Sequence, residues 1–390
     1  MIKKIFLFVF CASIQFSTIK AEIPIIAYGG IPDKFSNFSR YQELKEAGFD
    51  IMIESYGGRD TSSLKKKLND AQKAGIKLIL ASNQLFKAPQ EIINAVKNHP
   101  SLYGYFLRDE PKPSDLKELN KQYQLIKRYD SNTPCYINLL PNYGTQSLNY
   151  HGIDSYPEYL EAVSSIGLPQ LSFDHYPITT SGIRDTWYAN LEAVREESIR
   201  TGKPFWAFAL CTPHYIYPQP TLPMLRLQIY SNLAYGASAI QYFTYWTPEP
   251  YGNYNFHDGP INNDGKRTKT YDLVKEMNSE LHSIIPLFDN SEIISVKHLG
   301  KIPIGSEKAK LMPPNVSKLK IRSNEGVIVS LLKKNNSLYL LVINKDYKDN
   351  TTLTIKTKPS VVRITKSLVE EKVKSTYSIS GGDILLFKLT

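Results

Sequence analysis

Along residues 22–290, short apolar runs alternate with stretches in which apolar residues recur every three or four positions. Runs of four to eight apolar residues bounded by turn signals predict buried strands, and the 3.6-residue period between them predicts amphipathic helices. Repeated in this order, they predict βα units around a parallel sheet. Eight strands are expected: Ile23–Tyr28, Phe49–Glu54, Ile76–Ala81, Leu102–Leu107, Cys135–Leu139, Gln170–Asp174, Pro204–Leu210 and Ala239–Tyr245. Helical spacing is clear over 64–74 (Leu64, Leu68, Ala71) and 115–129 (Leu116, Leu119, Tyr123). Ala47-Gly48, Ala74-Gly75, Thr201-Gly202 and Tyr235-Gly236 each fit a glycine that ends a helix before the next strand. Eight parallel strands in roughly 270 residues is the size of an α/β protein of the (β/α)8 TIM-barrel type. An open doubly wound sheet would carry a glycine-rich phosphate loop after its first strand, and Tyr28-Gly29-Gly30-Ile31-Pro32 is not that pattern.

The texture changes past Phe288. Val327–Leu332, Ser337–Asn344, Thr351–Thr357, Ser360–Ile364 and Asp383–Lys388 are short β-branched or alternating runs, separated by turns such as Lys334-Asn335-Asn336 and Gly381-Gly382. They predict a small C-terminal antiparallel β-sandwich over 291–390. At the other end, Lys3 and Lys4, the apolar run Ile5–Phe10 and the small residue Ala21 have the layout of a cleavable secretory signal over 1–21. Ser13, Gln15, Ser17 and Thr18 interrupt that run, so it does not predict a membrane span. Phe10 precedes Cys11 where a lipidation signal wants a small residue. A secreted or periplasmic catalytic barrel over 22–290 is therefore expected.

Charge sharpens this division. Residues 291–390 hold 18 Lys+Arg against 8 Asp+Glu, whereas residues 22–290 hold 26 against 29. The basic character belongs to the C-terminal strands, where lysines alternate with Val, Ile and Thr as on a solvated strand face. That pattern argues against nucleic-acid binding, which wants basic residues and aromatics on one surface. Cys135 and Cys211 are distant, and no zinc spacing or His-x-His cluster occurs, so neither a disulfide framework, a metal nor another cofactor is implied. Oligomeric state is not legible.

In a TIM barrel the chemistry sits at the C-terminal ends of the strands. Those ends are Tyr28-Gly29-Gly30, Glu54-Ser55-Tyr56, Ser82-Asn83-Gln84, Arg108-Asp109-Glu110-Pro111, Asn138 followed by Pro141-Asn142-Tyr143, Asp174-His175-Tyr176-Pro177, Cys211-Thr212-Pro213-His214-Tyr215 and Tyr245-Trp246-Thr247-Pro248-Glu249. A rim of carboxylates, amides and rings suits sugars, whose hydroxyls need polar partners and whose C–H faces stack on aromatics. An oligo- or polysaccharide is the expected partner. Glycoside hydrolysis needs a protonated carboxyl and a second carboxylate. Glu110 is the expected acid, although an acidic pair before Pro111 also suits a helix start. Asp109 should point the other way along the strand, toward Arg108 or a sugar hydroxyl.

The run Gly104–Pro111 resembles the strand-four motif of clan-A glycoside hydrolases, in which an Asn-Glu or Asp-Glu pair carries the acid/base glutamate. Asp174-His175-Tyr176-Pro177 resembles their strand-six element. Leu233–Ala237 with Ile240–Trp246 is similar to the strand-eight region of family 42-type β-galactosidases. The resemblance implies a glycosidase acting on a β-linked glycan, with β-galactosides among its candidate substrates. It also implies a nucleophilic glutamate at the end of strand seven, yet residues 204–223 contain no Asp or Glu. Either strand seven lies elsewhere, or the second carboxylate has moved to Asp174, Glu249 or Glu54, or the barrel binds glycans without cutting them. Asp174 leads, two strands from Glu110; Glu249 would have to reach across from a proline-flanked loop. Glu54 would equally serve as a sugar-hydroxyl acceptor. Tyr28, Asp109, Asn138, His175, Tyr176, His214, Tyr245 and Trp246 complete the expected substrate contacts, with Trp246 as the stacking platform. A Cys211 nucleophile would need a lowered pKa and a base such as His214.

Overall fold

The computed structural model describes residues 23–55, 57, 60–144 and 153–389, so the expected signal segment lies outside the described residues. Eight parallel strands form one sheet: β1 (Ile25–Tyr28), β2 (Ile51–Ile53), β3 (Lys77–Leu80), β4 (Leu102–Asp109), β5 (Cys135–Asn138), β6 (Leu171–Phe173), β7 (Phe205–Leu210) and β8 (Ala239–Phe243). Their order, β5-β4-β3-β2-β1-β8-β7-β6, is that of a barrel opened between β5 and β6. The bridge Leu139↔Phe173 and the Leu139 N–H donated to Ser172 O (2.7 Å) close that seam. All eight strands fall within the expected runs apart from their edges, and β7 is genuinely the seventh, paired with β6 and β8.

The main helices that follow the strands are α1 (Phe38–Glu46), α2 (Thr61–Lys73), α3 (Pro89–Val96, after a single-turn helix Gln84–Lys87), α4 (Leu116–Tyr129), α5 (Tyr156–Ser164), α6 (Trp187–Thr201), α7 (Leu222–Tyr235) and α8 (Lys269–Phe288). Side chains of Asn37, Asp60, Ser155 and Thr268 accept from first-turn N–H groups and start α1, α2, α5 and α8. Gly202 and Gly236 end α6 and α7 in left-handed conformation, at φ +68° and +103°. None of the helices among the described residues is long and apolar enough to cross a membrane.

After α8 come β9 (Glu292–Leu299), β10 (Val316–Arg322), β11 (Val327–Lys334), β12 (Ser337–Asn344), β13 (Thr351–Thr357), β14 (Val362–Ile364), β15 (Glu370–Lys372), β16 (Thr376–Ile379) and β17 (Ile384–Lys388). They form antiparallel sheets ordered β9-β11-β12-β17-β14-β15 and β10-β13-β16. Val329, Leu340, Leu353, Ile355, Tyr377 and Phe387 fill the space between them. The other face docks on α7, which is buried around most of its circumference. Ser330 Oγ donates to Ala234 O at 2.9 Å, and Gly382 lies so close to Pro223 that a Cβ would meet its carbonyl oxygen at 2.2 Å.

Inside the barrel, Ile26, Ile53, Ile79, Phe106, Tyr136 and Trp206 pack the centre. Polar groups are threaded through this filling. Tyr136 donates to Gln241 Oε1 (2.8 Å), Gln241 Nε2 to Ser172 Oγ (2.8 Å), and Ser172 Oγ to Asn138 Oδ1 (3.2 Å). Every link is buried, so each side chain is fixed by the next. The ladder ends at Asn138, under the C-terminal mouth.

Candidate active site

Asn138 is the base of the site. Its amide nitrogen donates to Asp174 Oδ1 at 2.8 Å and to Asp109 Oδ1 at 3.3 Å, so one NH2 group joins β5 to both β4 and β6. Both protons of that group are thereby spent, and Asn138 is 2% exposed. The expectation that it binds sugar directly is corrected: it holds the carboxylates. Tyr28 completes the frame by donating to Asp109 Oδ2 at 2.9 Å.

The strand-four motif departs from strict alternation. The β4–β5 register shifts between Phe106 and Arg108, so Asp109 comes opposite Asn138. A bulge of this kind re-aims the residues after it. Asp109 therefore joins Tyr28 and Asn138 inside the mouth rather than turning away as alternation predicts. Glu110 follows with φ +42°, in the left-handed region, its N–H donating to Asn138 O at 2.8 Å. Asp109 and Glu110 thus serve one cleft, together with Asp174.

Water reaches Asp109 and Glu110, yet protein surrounds them densely enough to penalise charge. Burial, then the negative charges of Asp174 and Asp109, push the Glu110 carboxyl far above the usual carboxylate range. Asp174 is raised to about 7 by burial and by Asp109, against the opposing hydrogen bonds from Asn138 and Tyr176. Asp109 is also raised by burial, with Tyr28 and Asn138 opposing. Three neighbouring carboxylates therefore do not all ionise together.

Several other expected residues lie elsewhere. Glu54 is 1% exposed, with Lys67 Nζ at 2.8 Å and Tyr41 Oη at 3.2 Å. It is a buried ion-pair member behind the wall rather than a sugar acceptor. Trp246 is 5% exposed, between Phe35 (ring centroids 5.0 Å) and Arg40 (5.7 Å), and Tyr245 is fully buried. Both pack the barrel, so Trp246 is not an open stacking surface. Glu249 is exposed and accepts from Asn263 in its own loop at 3.1 Å; it does not figure among the charges acting on Glu110. Burial pushes the Cys211 thiol up to about 12, which removes the thiolate a nucleophile needs. His175 is buried, its pKa lowered to about 3 by burial and Arg184, and its Nε2 lies 3.2 Å from Thr186 Oγ1. His214 donates Nδ1–H to Thr212 O (2.9 Å) and packs on Phe256 at 4.5 Å. Both histidines are neutral parts of the wall, and Tyr176 lines it beside Phe243 at 5.5 Å.

Of the remaining wall, the strand-end reading named Tyr143 but not Arg184 or Tyr217. Arg184 donates to Tyr217 Oη at 3.2 Å, lies 4.5 Å from the ring of Tyr143, and helps keep His175 neutral. Tyr143 also meets His175 edge-on at 4.9 Å. Arg184 and Tyr217 come from loops with no strand-end position to mark them.

Residues 111–284 match a family described as β-galactosidase, glycoside hydrolase family 42. Among solved structures, a catalytic mutant of a family 42 β-galactosidase from G. stearothermophilus aligns at TM-score 0.65 and 8% identity, covering 95% of this chain and 98% of that one. A β-galactosidase from Bacillus circulans sp. alkalophilus aligns at TM-score 0.62 and 10% identity, over 95% and 99%. The β-galactosidase of Marinomonas ef1 aligns at 0.51 and 10% identity, over 68% of this chain; the chain spans about 60% of that enzyme's length. A comparison with curated proteins found no match. The family match, from the end of β4 to α8, and the shared fold make the chain a (β/α)8 barrel resembling the family 42 glycoside hydrolases of clan A.

Proposed function

We propose that this glycosidase hydrolyses a β-linked glycan with Glu110 as proton donor and Asp174 as the ionised partner, in an exported compartment. The observation that carries the assignment is the geometry of one cleft, where Asn138 ties Asp109 and Asp174 together beside Glu110, and where burial and the neighbouring carboxylates raise both Glu110 and Asp174. At neutral pH such a pair offers one proton to a leaving oxygen and one carboxylate to a water. The ends of strands two apart in a sheet are separated by ~10 Å at the backbone. That spacing suits the roughly 6.5–9.5 Å between the carboxyls of an inverting pair. A β-galactoside is the first substrate to try, by the description of the matching family.

Glu110→Gln tests the role. Loss of a general acid costs about 10²–10⁴-fold on a glycan with an alkoxide leaving group. The loss should be smaller on a nitrophenyl glycoside, whose leaving group needs little protonation. Equal activity of variant and wild type on every hydrolysed glycoside would overturn the assignment. The absence of any carboxylate in 204–223 favours a second reading, a barrel that binds glycans without cleaving them. It is distinguished by retention in glycan gels with no hydrolysis by either protein. Export is checked by the N-terminus of the mature protein, expected near Glu22.

A further inference from the structure

Three tyrosines stand in water at the barrel mouth: Tyr215, Tyr251 and Tyr254 expose 61%, 64% and 43% of their surface. They come from the loops after β7 and β8. Tyr254 lies 5.2 Å from Tyr251 and 6.1 Å from Tyr215 between ring centroids, and stacks on Phe256 at 5.8 Å and 11°. Phe256 is 6.0 Å from Phe243, and Phe243 is 5.7 Å from Tyr28, whose hydroxyl holds Asp109. An unbroken file of rings thus runs from the carboxylates to the outer edge of the mouth.

The file is built to be rigid. Tyr251 and Tyr254 exchange backbone hydrogen bonds (3.1 and 2.9 Å) around Gly252. His214 and Tyr217 do the same (3.2 and 2.8 Å), while Tyr215 N–H donates to Asn255 Oδ1 at 2.8 Å and ties the two loops together. Tyr215 sits at φ +48°, a region bulky residues seldom occupy, with its ring outward. Packing does not explain the outer rings, since more than two fifths of each faces solvent. Contiguous exposed aromatics mark binding surfaces. Their pitch is comparable to the length of one pyranose unit.

We infer that the exposed outer rings of this file, Tyr215, Tyr251 and Tyr254, seat pyranose units of a glycan chain beyond the cleavage point, so that the substrate is an oligo- or polysaccharide rather than a disaccharide. The inference rests on the glycosidase reading above and deepens it. It is tested with β-linked galacto-oligosaccharides of increasing length, the matching nitrophenyl β-galactoside, and gels containing a β-galactan. In the wild type, kcat/KM should rise with chain length. Tyr251→Ala should weaken the rise, and Tyr215→Ala/Tyr251→Ala/Tyr254→Ala should reduce the long-to-short ratio by about tenfold. In a Glu110→Gln background, retardation by the β-galactan should fall in the same order, a readout independent of turnover. Retardation without hydrolysis would sink the catalytic assignment while supporting this inference. Hydrolysis of the nitrophenyl glycoside with no dependence on chain length would overturn the inference alone. So would a wild-type dimer that the triple variant dissolves without any change in the ratio, because the rings would then be a protein interface. Thermal melts of each variant guard against misfolding.

Discussion

Asn138→Ala offers a direct probe of how the site separates its protonation states. The Asn138 amide donates to Asp174 at 2.8 Å and to Asp109 at 3.3 Å, and both bonds favour the ionised carboxylates. A hydrogen bond to a charged group contributes about 1.5–3 kcal/mol. At 1.36 kcal/mol per pKa unit, its loss raises Asp174 by about 1–2 units. With Asp174 starting at about 7, its titration moves to roughly 8–9. On the proposed mechanism, activity needs ionised Asp174 and protonated Glu110, so kcat/KM follows a bell limited below by Asp174 and above by Glu110. The variant should shift the acid limb 1–2 units upward, narrow the bell, and lower activity at pH 7 by about five- to fifty-fold. Both apparent values belong to the coupled pair, so the readout is the movement of the limb. Ser172→Ala, which removes the donor fixing Asn138 Oδ1 at 3.2 Å, should move the limb the same way by less. The assay is kcat/KM on one chromogenic glycoside across pH. An acid limb that stays in place in a folded Asn138→Ala protein would refute the reasoning.

Two further outcomes concern stability. The Asp174 carboxyl is raised from 3.8 to about 7, so the folded state binds the extra proton between those values and loses stability as pH rises through them. Asp174→Asn should therefore raise Tm near pH 8 and leave it nearly unchanged near pH 4; equal gains at both would show that the charge is not the cause. Lys67→Met strands the buried Glu54 carboxylate, whose ion pair at 2.8 Å is 2% and 0% exposed on its two sides. The expected cost is about 3–5 kcal/mol in urea unfolding, largely recovered by adding Glu54→Gln. A change below 1 kcal/mol would refute the reading that the Lys67–Glu54 pair holds this part of the wall.

The barrel was legible because each strand writes its own burial into the sequence. Runs such as Ile-Ile-Ala-Tyr and Phe-Trp-Ala-Phe-Ala-Leu have few alternatives once glycine stops follow the intervening helices. Strands β9, β10, β15 and β16 escaped: charges break the apolar runs of β9 and β10, β15 is simply Glu-Glu-Lys, exposed throughout, and β16 is four residues with only Tyr377 and Ile379 buried. In the site, position along a strand predicted which residues reach the mouth, but not where they point. Alternation turned Asp109 away; the bulge between Phe106 and Arg108 turned it back. Strand-end position placed Glu54 and Trp246 on the rim. Lys67 and Phe35, distant in sequence, hold them in the wall instead. Such partners leave no local signature.

The empty place at the end of β7 gains meaning from what surrounds it. Cys211 there is buried and protonated, and His214 is packed on Phe256. Beside them Phe243 and Tyr176 make that side of the mouth an aromatic wall. Negative charge is instead gathered on β4 and β6 and tied by Asn138. A retaining reaction needs a nucleophile roughly 5–5.5 Å from the acid, whereas an inverting one needs room for water between the two carboxyls. On the proposed assignment, with Asp174 at the end of β6 as the second carboxylate, the barrel would be arranged for the second chemistry. Inversion at the anomeric carbon, read by NMR on the first product released, is the outcome this arrangement demands, and retention would return the search to Glu249.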